Sequence, residues 1–374
     1  MRLNNWLALG CCAALALGAA ACGSNDNKSS SGGSSSSSSG SSAKSGGTIN
    51  GAGATFPQPV YQEWAARFKE SNGVTVNYQG IGSGGGIAQF SAGTVDFGAT
   101  DAPMKPDELA TAKKKGSDPV HVPTVLGAVT ISYNVNGVQQ GLKLDGKTAA
   151  DIFLGKVKKW NDPEIASQNS GVKLPSSSIT VCHRSDESGT TKNFTEFLAD
   201  YSTAWKNGPG VDKSVKWPTG TGAKGNDGVA GCVKQTQGAV GYVEQAYALQ
   251  NKFTTAAVKN ASGKYVEPSL QATSAAATGI TPPADLRFST INSKNTGAYP
   301  ISAITFLLAW ADACKAGQKP NTAKLVKDWL NYALGPGQQV APQLQYAPLP
   351  SNIKTKAQAK VDALKCNGQA VAAS

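Results

Sequence analysis

Residues 184–190 read Arg-Ser-Asp-Glu-Ser-Gly-Thr, and the chain on either side decides how they fold. Residues 179–183 read as a strand leading into them. After them Phe194, Phe197, Leu198 and Tyr201 fall at i, i+3, i+4 and i+7, spacing that predicts an amphipathic helix beginning near Thr190. A helix N-terminus has free amide groups and carries about half a positive charge, and a guanidinium adds a planar fork of donors, so the unit suits a tetrahedral oxyanion. The competing reading is a capped surface helix beside an exposed Arg184.

The same alternation runs outward through the chain. Val60, Tyr61, Trp64 and Phe68 predict a helix over 57–71, and Val74, Val76 and Tyr78 alternate as a strand. Ile87 and Phe90 suit a short helix. Further strands are expected at 126–133, 239–243 and 301–310, and further helices at 148–154, 227–234, 322–334 and 353–364. Strands alternating with helices predict an α/β protein with mixed, mainly parallel sheets. Two more glycine-rich turns precede helices: Gly51 to Pro57 carries Thr55, and Gly80 to Gly86 carries Ser83. Glycines there let backbone amides approach a ligand closely. Asp101 closes an apolar strand, where the ordinary role is a cap or turn.

Other chemistry is excluded on the residues themselves. Gly141 to Thr148 meets the phosphate-loop spacing formally, but Leu142 and Leu144 alternate like a strand, and Thr148 reads as the cap of the next helix. Ser83 has Ile81 where a nucleophile elbow needs glycine. There is no CxxC or Cys/His cluster for a metal, and no cofactor is expected. His121 and His183 have no evident role. A secreted phosphatase would need a metal cluster or an activated nucleophile, and neither is visible.

The N-terminus places the chain outside the cytoplasm. Residues 1–22 read as an export signal, with Arg2, an apolar stretch and Ala19-Ala20-Ala21-Cys22, where Cys22 is the lipidation candidate. Residues 23–47 are nearly all Ser, Gly, Asn and Lys, a flexible tether with a reach of roughly 25–30 Å. No later run is long and apolar enough to span a bilayer. Removing residues 1–22 takes only Arg2 from the 35 basic residues and none of the 24 acids, leaving a net charge of +10. Export argues against a nucleic-acid partner, so the charge fits the cell envelope or steering of a small anion. Cys182, Cys232, Cys314 and Cys366 remain; three pairings are open, and Cys182–Cys232 with Cys314–Cys366, one bridge per lobe, is preferred.

The chain closely resembles the phosphate-binding lipoproteins that serve the bacterial phosphate ABC importer. The resemblance rests on GAGATFPQPVYQEW (51–64), VNYQGIGSGGG (76–86), VDFGATDAP (95–103), DIFLGKVKKWND (151–162), RSDESGT (184–190), KGNDGVAG (224–231) and GAVGYVEQAYA (238–248). It implies a type II periplasmic-binding-protein fold, with lobe I at 48–126 plus 296–374, lobe II at 127–295 and a ligand cleft between them. Thr55, Phe56, Ser83 and Asp101 would act on phosphate from the first lobe, Arg184, Ser188, Gly189 and Thr190 from the second, while Asp186 would orient Arg184. Glu187 stands where the family often has glycine. The resemblance also implies delivery to the importer's permease subunits and a monomer lipid-anchored through Cys22 to the outer face of the cell membrane. Asp101 then has a purpose: phosphate at neutral pH keeps a proton to donate to a carboxylate, whereas sulfate has none and is repelled. A binder of sulfate or molybdate is disfavoured on that ground; an adhesin or surface-antigen role could coexist with transport.

Overall fold

A computed structural model describes residues 46–372; the export signal, Cys22 and the tether up to residue 45 lie outside the described residues. Eight strands run through the main sheet: β1 (Gly47–Gly53), β2 (Val74–Gly80), β3 (Phe97–Thr100), β4 (Pro119–Asn134), β5 (Thr180–Arg184), β6 (Thr221–Ala223), β7 (Ala239–Glu244) and β8 (Ser302–Trp310). Gly47, assigned to the tether from sequence, is the first residue of β1 and pairs with Val74. The spatial order is β2-β1-β3-β8-β4-β7-β5-β6, and the short strands Thr254–Thr255 and Ala347–Pro348 also pair with β4. Both flanks are parallel, β1 with β2 and β3, β5 with β6 and β7. The centre, β3-β8-β4-β7, is antiparallel.

β4 joins the two flanks. Its first part pairs with β8 as far as Ala128 opposite Ser302, and its second part pairs with β7 from Val129 opposite Glu244. It is buried almost throughout its 16 residues, and its buried polar members are hydrogen-bonded, Thr124 with Tyr61, Thr130 with Ser132, and His121 with the Met104 amide. The strand starts at Pro119, earlier than periodicity predicts. Pro123 cannot donate to the ladder, and the register skips Thr124 there, a bulge that lets the strand continue.

Helices cover the sheet: α1 (Gln58–Asn72), α2 (Ser83–Ala92), α3 (Pro106–Lys113), α4 (Gly146–Phe153), α5 (Gly189–Tyr201) and α6 (Gly225–Gln235). α5 follows its apolar spacing: Phe194, Phe197 and Leu198 are fully buried, each burial stabilising by about 1.5–3 kcal/mol. Its cap is Ser188, whose hydroxyl accepts from the Thr191 amide. α4 corrects one expectation. Asp145, not Thr148, caps it, accepting from the Thr148 amide, and Thr148 instead accepts from Gln168 Nε2. Lys147 is held by Asp151 and Glu164, as a surface lysine would be.

The preferred cysteine pairing is present: Cys182 on β5 bonds Cys232 on α6, and Cys314 bonds Cys366. Each closes a loop about fifty residues long, with separations of 50 and 52. Replacing Cys182 and Cys232 together by serine is expected to lower stability by about 2–4 kcal/mol, read as an earlier denaturant midpoint with a somewhat steeper slope, because the freed unfolded chain exposes more surface.

Candidate functional site

The strand-to-helix turns after β1, β2 and β5 meet at one place. β5 ends at Arg184, whose backbone amide donates to Tyr242 Oη on β7 at 3.1 Å. Tyr242 stacks on Phe194 of α5 at 4.4 Å and exchanges a 2.6 Å hydrogen bond with Thr191. The core thereby fixes where the arginine leaves the sheet and where the helix begins.

The Arg184 guanidinium is buried and donates to Asp186 through Nε at 2.8 Å and Nη2 at 2.5 Å, with Nη1 reaching Thr190 Oγ1 at 3.4 Å. Asp186 Oδ1 also accepts from the Gly225 amide at 3.0 Å. These donors hold the Asp186 carboxyl below the usual range, outweighing the burial that pushes it up. The next residue, Asn226, donates to Thr55 Oγ1 through both its backbone amide and its side chain.

Ser83 joins the other side. Its Oγ accepts from the Gly189 amide at 3.0 Å and from the Asp101 amide at 3.2 Å, which leaves its own proton free to donate. Gly189 is required for this approach: a Cβ there would lie 2.6 Å from Ser83 Oγ and 2.7 Å from Asp101 Cβ. Glu187 is accommodated by a complementary glycine, since its carbonyl accepts from the Gly84 amide and its side chain lies where a Gly84 Cβ would stand.

Asp101 is 2 % exposed. Oδ1 accepts from Thr305 Oγ1 on β8 at 2.8 Å, and its carbonyl accepts from Asn193 of α5 at 2.8 Å. Burial raises its pKa to about 7; Thr305, Arg184, Ser83 and Thr190 pull the other way. Phe56 lies behind, its carbonyl accepting from Tyr346 Oη at 2.7 Å. Tyr346 Oη also lies 2.8 Å from Glu244 Oε2. Glu244 is wholly buried, which drives its carboxyl far above the usual range.

Thr55, Phe56, Ser83, Asp101, Arg184, Ser188, Gly189 and Thr190 are all buried, and Asp186 braces Arg184. Reasoning from sequence missed Thr305, Asn193, Asn226, Tyr242 and Glu244. Asn226 lies in the 224–231 block that carries part of the resemblance, just before the helix expected at 227–234, but nothing in that block singles out its side chain. Thr305 is one β-branched residue in an apolar strand and carries no separate signal. Of the histidines, His121 accepts from the Met104 amide, and His183 stacks on Trp217 at 4.6 Å. Among the described residues no group of His, Cys, Asp or Glu could hold a metal ion.

Residues 38–336 match the PBP superfamily domain. The chain is 43% identical over 316 residues to the phosphate-binding protein PstS of Pasteurella multocida, covering 84% of this chain and 89% of that one. It is 35% identical over 378 residues to the phosphate-binding protein PstS 3 of Mycobacterium leprae, covering 97% and 100%. Its fold is similar, with a TM-score of 0.69 at 23% identity, to a high-affinity periplasmic phosphate-binding protein, PfluDING, solved bound with phosphate, covering 83% of this chain and 93% of that one. With the matched domain running through both flanks of the sheet, the chain belongs to the PBP superfamily and, within it, to the PstS family of phosphate-binding proteins.

Proposed function

We propose that this protein is an extracytoplasmic solute-binding protein that captures inorganic phosphate between two lobes and delivers it to the permease of an ABC importer. The observation that carries the reading is a buried carboxylate, Asp101, bonded into the same cluster as the buried Arg184 and the N-terminus of α5. A site with only donors would take any oxyanion. One that also holds a buried acceptor favours an anion that still carries a proton. Thr55, Phe56, Ser83, Ser188, Gly189 and Thr190 supply hydroxyls and amides to the remaining oxygens, and Asp186 keeps Arg184 in place. The relatives named as phosphate-binding proteins support this ligand.

Lobe I is then 48–126 with 296–374 and lobe II is 127–295, a division supported by the change of partner along β4 at Ala128 and Val129. Because the site is buried, entry and exit need the lobes to part. The protein acts as a monomer without cofactor or catalysis, lipid-anchored through Cys22 to the outer face of the membrane.

Titration against an anion panel tests the reading: phosphate binds and sulfate competes poorly. Arg184→Ala weakens phosphate by about a hundredfold or more, since it strands the buried Asp186, while Lys114→Ala changes it less than about twofold. Equal losses in the two variants would point to bulk charge. Asp101→Asn narrows the phosphate-to-sulfate ratio by at least about tenfold, because an amide can donate to sulfate. In the wild type the same ratio narrows as pH falls from 8 to 6, as the carboxyl with its pKa near 7 gains a proton. A ratio unmoved by both changes would remove Asp101 from selection.

The sign for stability follows from the same shift. A carboxyl whose folded pKa is raised contributes stability below its unfolded value that is lost as pH rises through about 7. Melting of the ligand-free wild type is therefore expected to fall relative to Asp101→Asn between pH 4 and 8, by a few degrees.

A further inference from the structure

Two ion pairs of opposite sense join α3 to the loop before β6. Lys213 Nζ lies 2.6 Å from Glu108 Oε1, and Lys105 Nζ lies 2.5 Å from Asp212 Oδ2. α3 connects β3 to β4 on one flank of the sheet; residues 212–213 connect α5 to β6 on the other. The pairs differ in setting. The Lys213 side chain is 4% exposed and that of Glu108 19%, whereas Lys105 and Asp212 are 45% and 36% exposed. Exposed pairs contribute little, but a buried charge stripped of its partner is costly.

The buried pair is held at both ends by backbone. Glu108 Oε2 accepts from the Lys105 amide at 2.8 Å, which fixes the carboxylate against the first turn of α3. The Lys213 carbonyl accepts from the Ser188 amide at 2.9 Å, and Ser188 caps α5. One residue therefore grips the opposite flank with its ammonium and the anion cradle with its carbonyl. On the opposite flank only a short segment separates Glu108 from Asp101, the carboxylate assigned to choosing the anion.

We infer that Glu108 and Lys213 form a positioning latch that holds the Ser188–Thr190 cradle against Asp101 and sets how long a captured anion stays. The inference rests on the phosphate reading above. Neither residue touches the ligand; each acts through Ser188 and through closure of the two flanks. The pair bridges the flanks whenever they are closed, with or without the anion, so its loss speeds their parting and falls on dissociation more than on association.

Stopped-flow measurement of phosphate release and capture tests this. Lys213→Met and Glu108→Gln each raise the dissociation rate about tenfold or more with association within about twofold, and the double variant is no worse than the worse single one. Lys105→Met, which removes the exposed pair and leaves the Asp212 carboxylate on the Lys213 amide, changes release less than about twofold. A merely structural staple would lower the melting temperature and leave release unchanged, and that outcome would overturn the latch, as would simple additivity. Amide exchange at Ser188 without phosphate separates the latch from the ligand: it is slow in wild type and faster in Lys213→Met. If wild type fails to bind phosphate, the functional reading falls while exchange still decides the latch; equal exchange in both proteins sinks it.

Discussion

Two opposite charges, Arg184 and Asp101, are both out of water here, and the cost of that isolation organises everything around them. A buried charge needs partners or it neutralises. Arg184 takes Asp186 as a two-point partner, and Asp186 in turn accepts from Gly225. Asp101 has hydroxyl and amide neighbours but no cation bonded to it directly, and its pKa climbs to about 7. The asymmetry suits a guest with both negative oxygens and a proton. The aromatic packing of Phe194 and Tyr242 serves the same end, because donors aimed at a desolvated site are useful only if the backbone carrying them cannot drift.

The latch described for Glu108 and Lys213 extends this logic from chemistry to motion. Ser83 accepts from amides on two separate segments, at Gly189 and Asp101, so the cradle and the acid are linked through one hydroxyl. A single hydroxyl between backbone amides gives register but modest strength. The buried ion pair nearby adds the grip that the hydroxyl lacks.

Much of this was legible in the sequence, for local reasons. The helical spacing after Arg184 and the glycine-rich turns before α1 and α2 depend on neighbours in the chain, so periodicity finds them. Thr305, Asn193 and Glu244 were not legible, because their meaning comes from strand order and long-range packing. Asp145 displaced Thr148 as the cap of α4 for a simpler reason: both residue types can cap, and only the register of the preceding strand decides which stands at the turn. Pro123 likewise hid the true start of β4, where a bulge rescues a residue that seldom sits inside a ladder.

β4 also governs how the molecule folds. Since one strand supplies ladder partners to both flanks, neither flank has a complete sheet without it. A cut between Ala128 and Val129 would leave each half of β4 on its own partner, 119–128 on β8 and 129–134 on β7. One continuous strand thus carries the chain from the ladder of one flank into that of the other, so any motion of the flanks against each other bends β4 where its partner changes.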